Sequence, residues 1–519
     1  MIELSSYLSG SWQQGAAPRA PLHDASTGAV CASASSNGLD LAAALRWARA
    51  TGGPALRAMS FAERAELLSA MSAVIHADRE ALIDLAVQNM GCTRKDAKFD
   101  IDGASGTLAW YAGLGRGLAE RSGTATWLLD GDQLRISRSR RFVGQHILTS
   151  RPGAAIHINA FNFPAWNMAE KAACALLAGV PVLTKPATAT AAVAVCIVER
   201  WVAADILPAG GLSLLTGSVG DLLDHVQAQD CIVFTGSGDT ARRVRSHPQV
   251  LAQNVPVNVE ADSLNAAILG PDLEPGSDTF LMFAAEVVQE MLQKAGQKCT
   301  AVRRILVPEA LLEPALEALR DRLDAAILGD PRDGKATIGP LSTASQRADV
   351  EQGVNQLAEH AERVWGDPAS VPEAGFFVAP QLFLLRGGAD APFVHDHEIF
   401  GPVATVLPYD GSAAAAIEIV ARGGGGLVSS LFSDDDQWAT EVLLGLAPWH
   451  GRLLWGSAKV HDQSTGHGAV LPALVHGGPG KAGGGEELGG ERGLRFYMQR
   501  TALQGDAGLL RRMLGDADR

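Results

Sequence analysis

Hydrophobic and polar positions follow two different periods along this chain, and each change of period marks an element. From 41 to 122 apolar side chains recur at three- and four-residue steps, the spacing of one helix face. In AERAELLSAMSAVIHADREALIDLAVQNMG the pattern predicts one helix of about eight turns, with Gly91 placed to stop it. The first 40 residues read as short extended pieces and turns. Residues 124–150 alternate around Asp130-Gly131, which predicts a hairpin leaving the main body, with Arg135 to Arg141 (RISRSRR) as exposed ribbon. From 154 onward short β-rich runs (AAIHINA, VPVLTK, LSLLTG, CIVFTG, VPVNVE) alternate with helical stretches, the signature of a parallel, doubly wound sheet. A second alternation runs from near 265 to about 455, so two α/β bodies divide near 260. RFYMQRTALQG, after the Gly-rich 477–493, reads as one more strand. The predicted fold class is α/β: two parallel-sheet bodies plus a small β-ribbon.

Composition narrows the function. With 47% hydrophobic and 19% charged residues among 519, the chain can bury a large core, which excludes a disordered protein. A net charge of −14 without a long Lys/Arg run argues against nucleic acid as a partner. No apolar run approaches the ~18 residues of a membrane span. The start, MIELSSYLSGSW, lacks the basic and apolar regions of a secretory signal. Six cysteines without a CxxC pair call for neither a disulfide scaffold nor zinc, so a reducing cytoplasm is expected.

Four segments could carry chemistry. Gly236-Ser237-Gly238-Asp239-Thr240-Ala241 follows the strand CIVFT and opens a helix, the context in which backbone amides receive a phosphate; the alternative is a plain tight turn. Cys299, in KAGQKCT, has Lys294 and Lys298 just before it. Those cations would lower a thiol pKa, although a lone cysteine also suits a core. Asn162 lies past the strand AAIHIN, where its amide could meet a developing oxyanion or cap a turn before Pro164. Glu260 ends the apolar run VPVNVE; burial would raise its pKa and suit it as a base, but a structural acid or a ribose ligand fits the same position. His395-Asp396-His397-Glu398 puts two histidines on one face of a strand. No third ligand follows at a recognisable spacing, and no metal is expected.

The order Asn-Phe-Pro, VLTKP, FTGS, a buried Glu, GQ-x-C and Glu-Ile-Phe-Gly-Pro-Val resembles the aldehyde dehydrogenase superfamily over nearly the whole chain. The ending His476-Gly477-Gly478-Pro479-Gly480, GGGEELGG and Tyr497-Met498-Gln499-Arg500-Thr501 is similar to the branch that oxidises CoA-thioester semialdehydes in aerobic phenylacetate and benzoate degradation. The chain is too short for the hydratase domain fused to phenylacetate members, which favours the benzoate side. The resemblance implies that Cys299 is the nucleophile, Asn162 and the Cys299 backbone N–H the oxyanion donors, and Glu260 the base that activates water. It implies Lys185 at the adenosine ribose, Thr235, Gly236 and Ser237 near the pyrophosphate, Glu398 at the nicotinamide ribose, and Phe400 beside the nicotinamide. Phe161 is counted with these cofactor contacts.

Because the family's dinucleotide mode differs from the ordinary Rossmann mode, the GxGxxA pattern carries less weight than the motif order. The resemblance further implies an NAD(P)-binding domain (1–123 and 151–259), a catalytic domain (260–476), a Gly-rich connecting loop (477–493) and an oligomerisation element (124–150 and 494–519) forming a homodimer.

Two positions depart from the pattern. NAD-preferring relatives carry Glu where Thr188 stands; without that acid a 2′-phosphate is not repelled and Lys185 can pair with it, which predicts NADP over NAD. The usual Glu-Leu-Gly-Gly is here Glu260-Ala261-Asp262. A CoA-acylating dehydrogenase and a non-catalytic protein of the same fold are the competing readings. Glu260 speaks against the first and the filled chemical positions against the second.

Overall fold

The computed structural model describes residues 2–387, 391–475, 477–484 and 488–514. Two seven-stranded sheets carry the two α/β bodies. In the first, spatial order runs 257–260, 231–235, 155–158, 182–185, 212–214, 6–8, 11–13. The first five strands are parallel, and Leu214 pairs antiparallel with Tyr7. In the second, the order is 362–365, 381–384, 403–409, 304–308, 266–269, 426–432, 450–456, parallel except at the 362–365 edge. The chain changes sheet between Glu260 and Ala266.

One helix sets how closely the first body packs. In Pro164–Leu177 all residues except Trp166 and Glu170 are buried. Five alanines in PAWNMAEKAACALL keep it thin enough to lie between the sheet and the long helix Arg94–Ser122. Trp166 and Glu170 are one turn apart and share a face.

The structure corrects several local expectations. The predicted long helix before Gly91 is two, Phe61–Ala77 and Arg79–Met90, the second closed by Gly91 in the left-handed region. Asp78 breaks it, leaving helical geometry (φ −100, ψ 15) with its carboxylate paired to Arg200. Asp130-Gly131 is not the hairpin turn: Trp127–Leu129 and Leu134–Arg135 both pair along Phe142–Ser150, and the chain reverses through 136–141. Asp130 is drawn aside by Arg495, at 3.0 Å, and Arg500. Beyond Arg135 the expected ribbon is a turn held by Ser137 and Ser139, whose side chains satisfy the backbone that strand pairing would have used. RFYMQRTALQG divides into the end of a helix, Gly490–Tyr497, and the strand Met498–Asp506, antiparallel to Phe142–Ser150. Phe393–Asp396 is a helical turn, so His395 and His397 do not share a strand face. Among the described residues no group of three His, Cys, Asp or Glu could hold a metal, and no helix is long and apolar enough to cross a membrane.

The Gly-rich stretch is not a free linker where it is described. His476, 485–487 and 515–519, on which parts of the C-terminal reading fall, lie outside the described residues. Within 477–484 the Ala261 N–H donates to Ala482 O (3.1 Å) and the Lys481 N–H to Gly424 O (3.0 Å). Gly425 (φ +118) would place a Cβ 2.1 Å from Pro479 O, so glycine is required where these backbones cross. The crossing pins the chain beside Glu260 to the second body.

Candidate active site

Parallel strands leave their C-terminal ends on one edge, where amides and side chains point into the cleft beyond the sheet. Four such ends in the first body supply the residues singled out above. Ala155–Ile158 leads to Phe161 and Asn162, and Val182–Lys185 ends on Lys185, with Thr188 three residues on. Cys231–Thr235 ends at Thr235, before Gly236 and Ser237, and Val257–Glu260 ends at Glu260, in register with Thr235.

The second body supplies Cys299. The helix Asp278–Leu292 ends, and Lys294, Ala295 and Gly296 follow with φ of 53, 53 and 69, turning the chain back sharply. A Cβ on Gly296 would sit 2.1 Å from Gly401 O, so the Cys299 loop and the segment after Glu398 touch only because this residue is glycine. Side chains then clamp the loop. Asn265 Nδ2 donates to Cys299 O (2.8 Å) and Ala301 O (3.0 Å), and His467 Nε2 lies 2.8 Å from Thr300 O. Asn162 Nδ2 donates to Gln297 O at 3.0 Å, which aims the Asn162 amide at this loop and leaves its second N–H for a ligand. Among the described residues none accepts from the Cys299 backbone N–H.

A cavity of about 430 Å³ brings Cys299 together with Glu260, Phe99, Phe163, Trp166 and Glu170. A neighbouring one of about 600 Å³ shares Trp166, Glu170 and Glu260 and extends past Thr235 to Tyr111 and Tyr497. The electrostatics reverse one expectation. The Cys299 thiol is pushed well above its ordinary pKa by burial, then by Glu260 and Glu170. Lys298 counters this, but less than burial and the two carboxylates raise it. Lys298 is fully buried against Glu290 (2.7 Å) and Gln293 (2.7 Å), and Lys294 Nζ lies over the Phe163 ring, 4.0 Å from its centroid. Their charges are spent on partners in the scaffold.

The remaining residues singled out in the sequence lie at these strand ends and on the segment around Glu398. Lys185 is buried, no described carboxylate pairs with it, and burial lowers its ammonium to about 8. Thr188 donates its hydroxyl to Gly217 O (2.9 Å). Thr235 Oγ1 is buried without a hydrogen-bond partner among the described residues, and the Gly236 N–H bonds Glu260 O (3.1 Å). Ser237 caps the helix Gly238–Arg245. Glu398 accepts from the Ser263 N–H (3.0 Å) and pairs with Arg303 (3.2 Å); burial lifts its carboxyl to about 7. Phe400 packs edge-on to Phe161 at 5.8 Å. An unpaired buried cation and an orphaned hydroxyl are groups that an anionic ligand could satisfy.

Residues missed in the sequence are Glu170, Lys171, Arg303 and Asn265. Burial raises the Glu170 carboxyl to about 7, and Lys171 sits 3.3 Å from it. A Glu-Lys pair inside an otherwise apolar helix was the available signal. Arg303 and Asn265 carry no local signal, because their partners are distant in sequence.

The profile of the aldehyde dehydrogenase family matches residues 12–503. The chain is 44% identical over 484 residues to a 3,4-dehydroadipyl-CoA semialdehyde dehydrogenase of Aromatoleum evansii, covering 92% of this chain and 93% of that protein. It is 29% identical over 434 residues to a hydroxyisobutyraldehyde dehydrogenase of Mycolicibacterium austroafricanum, covering 82% and 78%. Betaine aldehyde dehydrogenase from Staphylococcus aureus, solved with NAD+, shares the fold at a TM-score of 0.84 and 22% identity, covering 97% of this chain and 95% of that one.

The geometry predicts slow alkylation of Cys299 by iodoacetamide at pH 8, rising toward higher pH. Glu260→Gln removes a charge that disfavours the thiolate and is expected to speed alkylation several-fold at pH 8, read by mass spectrometry. An unchanged or slower rate would contradict the proximity of the two groups.

Proposed function

This chain belongs to the aldehyde dehydrogenase family, and from that premise we propose that it oxidises a CoA-linked aliphatic semialdehyde to the carboxylic acid with NADP. The substrate in this reading is 3,4-dehydroadipyl-CoA semialdehyde or a close analogue, in aerobic benzoate degradation. The observation that carries it is the meeting of Cys299 and Glu260 at one cavity, with the Asn162 amide bonded to the loop two residues before Cys299, in a chain 44% identical to a dehydrogenase of that substrate.

Cys299 Sγ, deprotonated, attacks the aldehyde carbon and forms a thiohemiacetal. The new oxyanion is held by Asn162 Nδ2 and the Cys299 backbone N–H. A nicotinamide, when bound, would supply the hydride acceptor, and the carbon held on Cys299 would then stand as a thioester. Glu260 takes a proton from water, which attacks the thioester carbon, and the C–S bond breaks to release the acid. A carboxylate able to activate water beside the thiol favours hydrolysis over transfer to free CoA. Lys185 and Thr188 would meet the adenosine 2′-phosphate, where an acid would repel it, and Glu398 the nicotinamide ribose. The enzyme is in this reading a cytoplasmic homodimer. The antiparallel pair Phe142–Ser150 and Met498–Asp506, with Leu134 and Phe142 exposed, supports association through that element. A monomeric mass by light scattering would remove the dimer.

Four outcomes test the assignment. Cys299→Ala is expected to lose at least about a thousand-fold in NADP reduction, and Glu260→Gln to keep a first-turnover burst while losing steady turnover. The CoA thioester is expected to outrun simple free aldehydes without added CoA; comparable rates would leave only a general aldehyde dehydrogenase. Because the Lys185 ammonium is lost as pH rises through about 8, NADP affinity is expected to fall across that range more than NAD affinity, by fluorescence titration. Parallel profiles would sink the role of Lys185.

A further inference from the structure

Asp262 stands two residues past Glu260, exposed, outside the strand. Its Oδ1 accepts from the Gly238 N–H at 2.9 Å, at the start of the helix Gly238–Arg245. A Cβ at position 238 would lie 2.4 Å from Asp262 Oδ2, so a side chain there would push the Asp262 carboxylate aside. The amides at a helix start attract an anion, and here a carboxylate of the chain already holds one of them. Asp262 also reaches the other end of the cleft. It is among the charges that lift Glu398, and its neighbour Ser263 donates to Glu398 Oε2. On the same edge Thr235 Oγ1, in a residue only 7% exposed, has no partner among the described residues and lines the adjoining cavity.

We infer that Asp262 is a positioning residue that loosens the hold on the cofactor diphosphate, by competing with it for the start of the helix 238–245. The inference rests on the cofactor cleft assigned above. Two anions at one helix start repel, so either the Asp262 side chain is displaced or the diphosphate sits off the first amide. Both weaken binding and speed release of the reduced dinucleotide.

The test is equilibrium titration of NADPH fluorescence, with adenosine 2′-monophosphate as a competitor that carries no diphosphate. Asp262→Asn is expected to tighten NADPH about 3- to 10-fold, the scale of one charge at a helix end. Asp262→Ala, which also frees the Gly238 amide, is expected to tighten it at least as much. The NADPH dissociation rate should fall in proportion, while adenosine 2′-monophosphate binds as before. Unchanged or weaker NADPH binding in both variants overturns the inference. So does equal tightening of adenosine 2′-monophosphate, which would mean a general field rather than competition at the helix start. Lys185→Ala in parallel tests the cleft itself. Loss of binding for both ligands supports the cleft. No loss for either overturns the cleft assignment, and this inference with it.

Discussion

The guanidinium of Arg303 is the interaction on which the rest of the site depends. It is buried and donates to Gly401 O (2.8 Å), to Gly296 O (2.8 Å) and to Glu398. Its face lies 5.4 Å from the centre of the Phe400 ring. One side chain therefore ties the loop before Cys299 to the segment proposed to hold the nicotinamide ribose. Removing it would leave the buried Gly296 carbonyl unsatisfied and Glu398 without its ion-pair partner, each a cost the interior does not absorb easily. The left-handed turn at 294–296 persists because this network and the Gly296–Gly401 contact over-determine it.

Around that joint, charge is distributed to keep the Cys299 thiol neutral. Glu260 and Glu170 face the cavity, while Lys298, next to Cys299 in the chain, is paired with Glu290. A thiol in these surroundings is stable until a reacting carbon or a change in neighbouring protonation favours the thiolate. With Glu170 and Glu398 both lifted to about 7, the cleft holds two carboxyls that exchange protons near neutrality. This poise comes from desolvation by the packed helix 164–177 and the clamped loop, which are features of the body rather than of any motif.

The glycine excess, 57 of 519, has the same origin. At Gly296 and Gly425 backbones from different parts of the chain touch where a side chain would collide. The described part of the C-terminal Gly-rich stretch thus fastens the chain beside Glu260 to the second body instead of linking two units loosely.

Local order was legible in the sequence. The strands ending at Lys185, Thr235 and Glu260, the helix stop at Gly91 and the change of sheet after 260 follow from hydrophobic period and punctuation. Those are properties of neighbours in the chain. The order of a thiol, a carboxylate, an amide and a lysine along the chain was legible as a family resemblance, and the family match agrees with it. What only the tertiary structure decided was which charges face which. Lys298 beside Cys299 in sequence points to an acidic thiol, yet it belongs to Glu290, and carboxylates from elsewhere in the chain push the thiol the other way. Asp130-Gly131 has the composition of a turn, yet Arg495 and Arg500, more than three hundred residues away, draw it aside. Periodicity reports what one residue shares with its neighbours. Ionisation and strand register depend on desolvation and on partners that only the folded chain brings within reach.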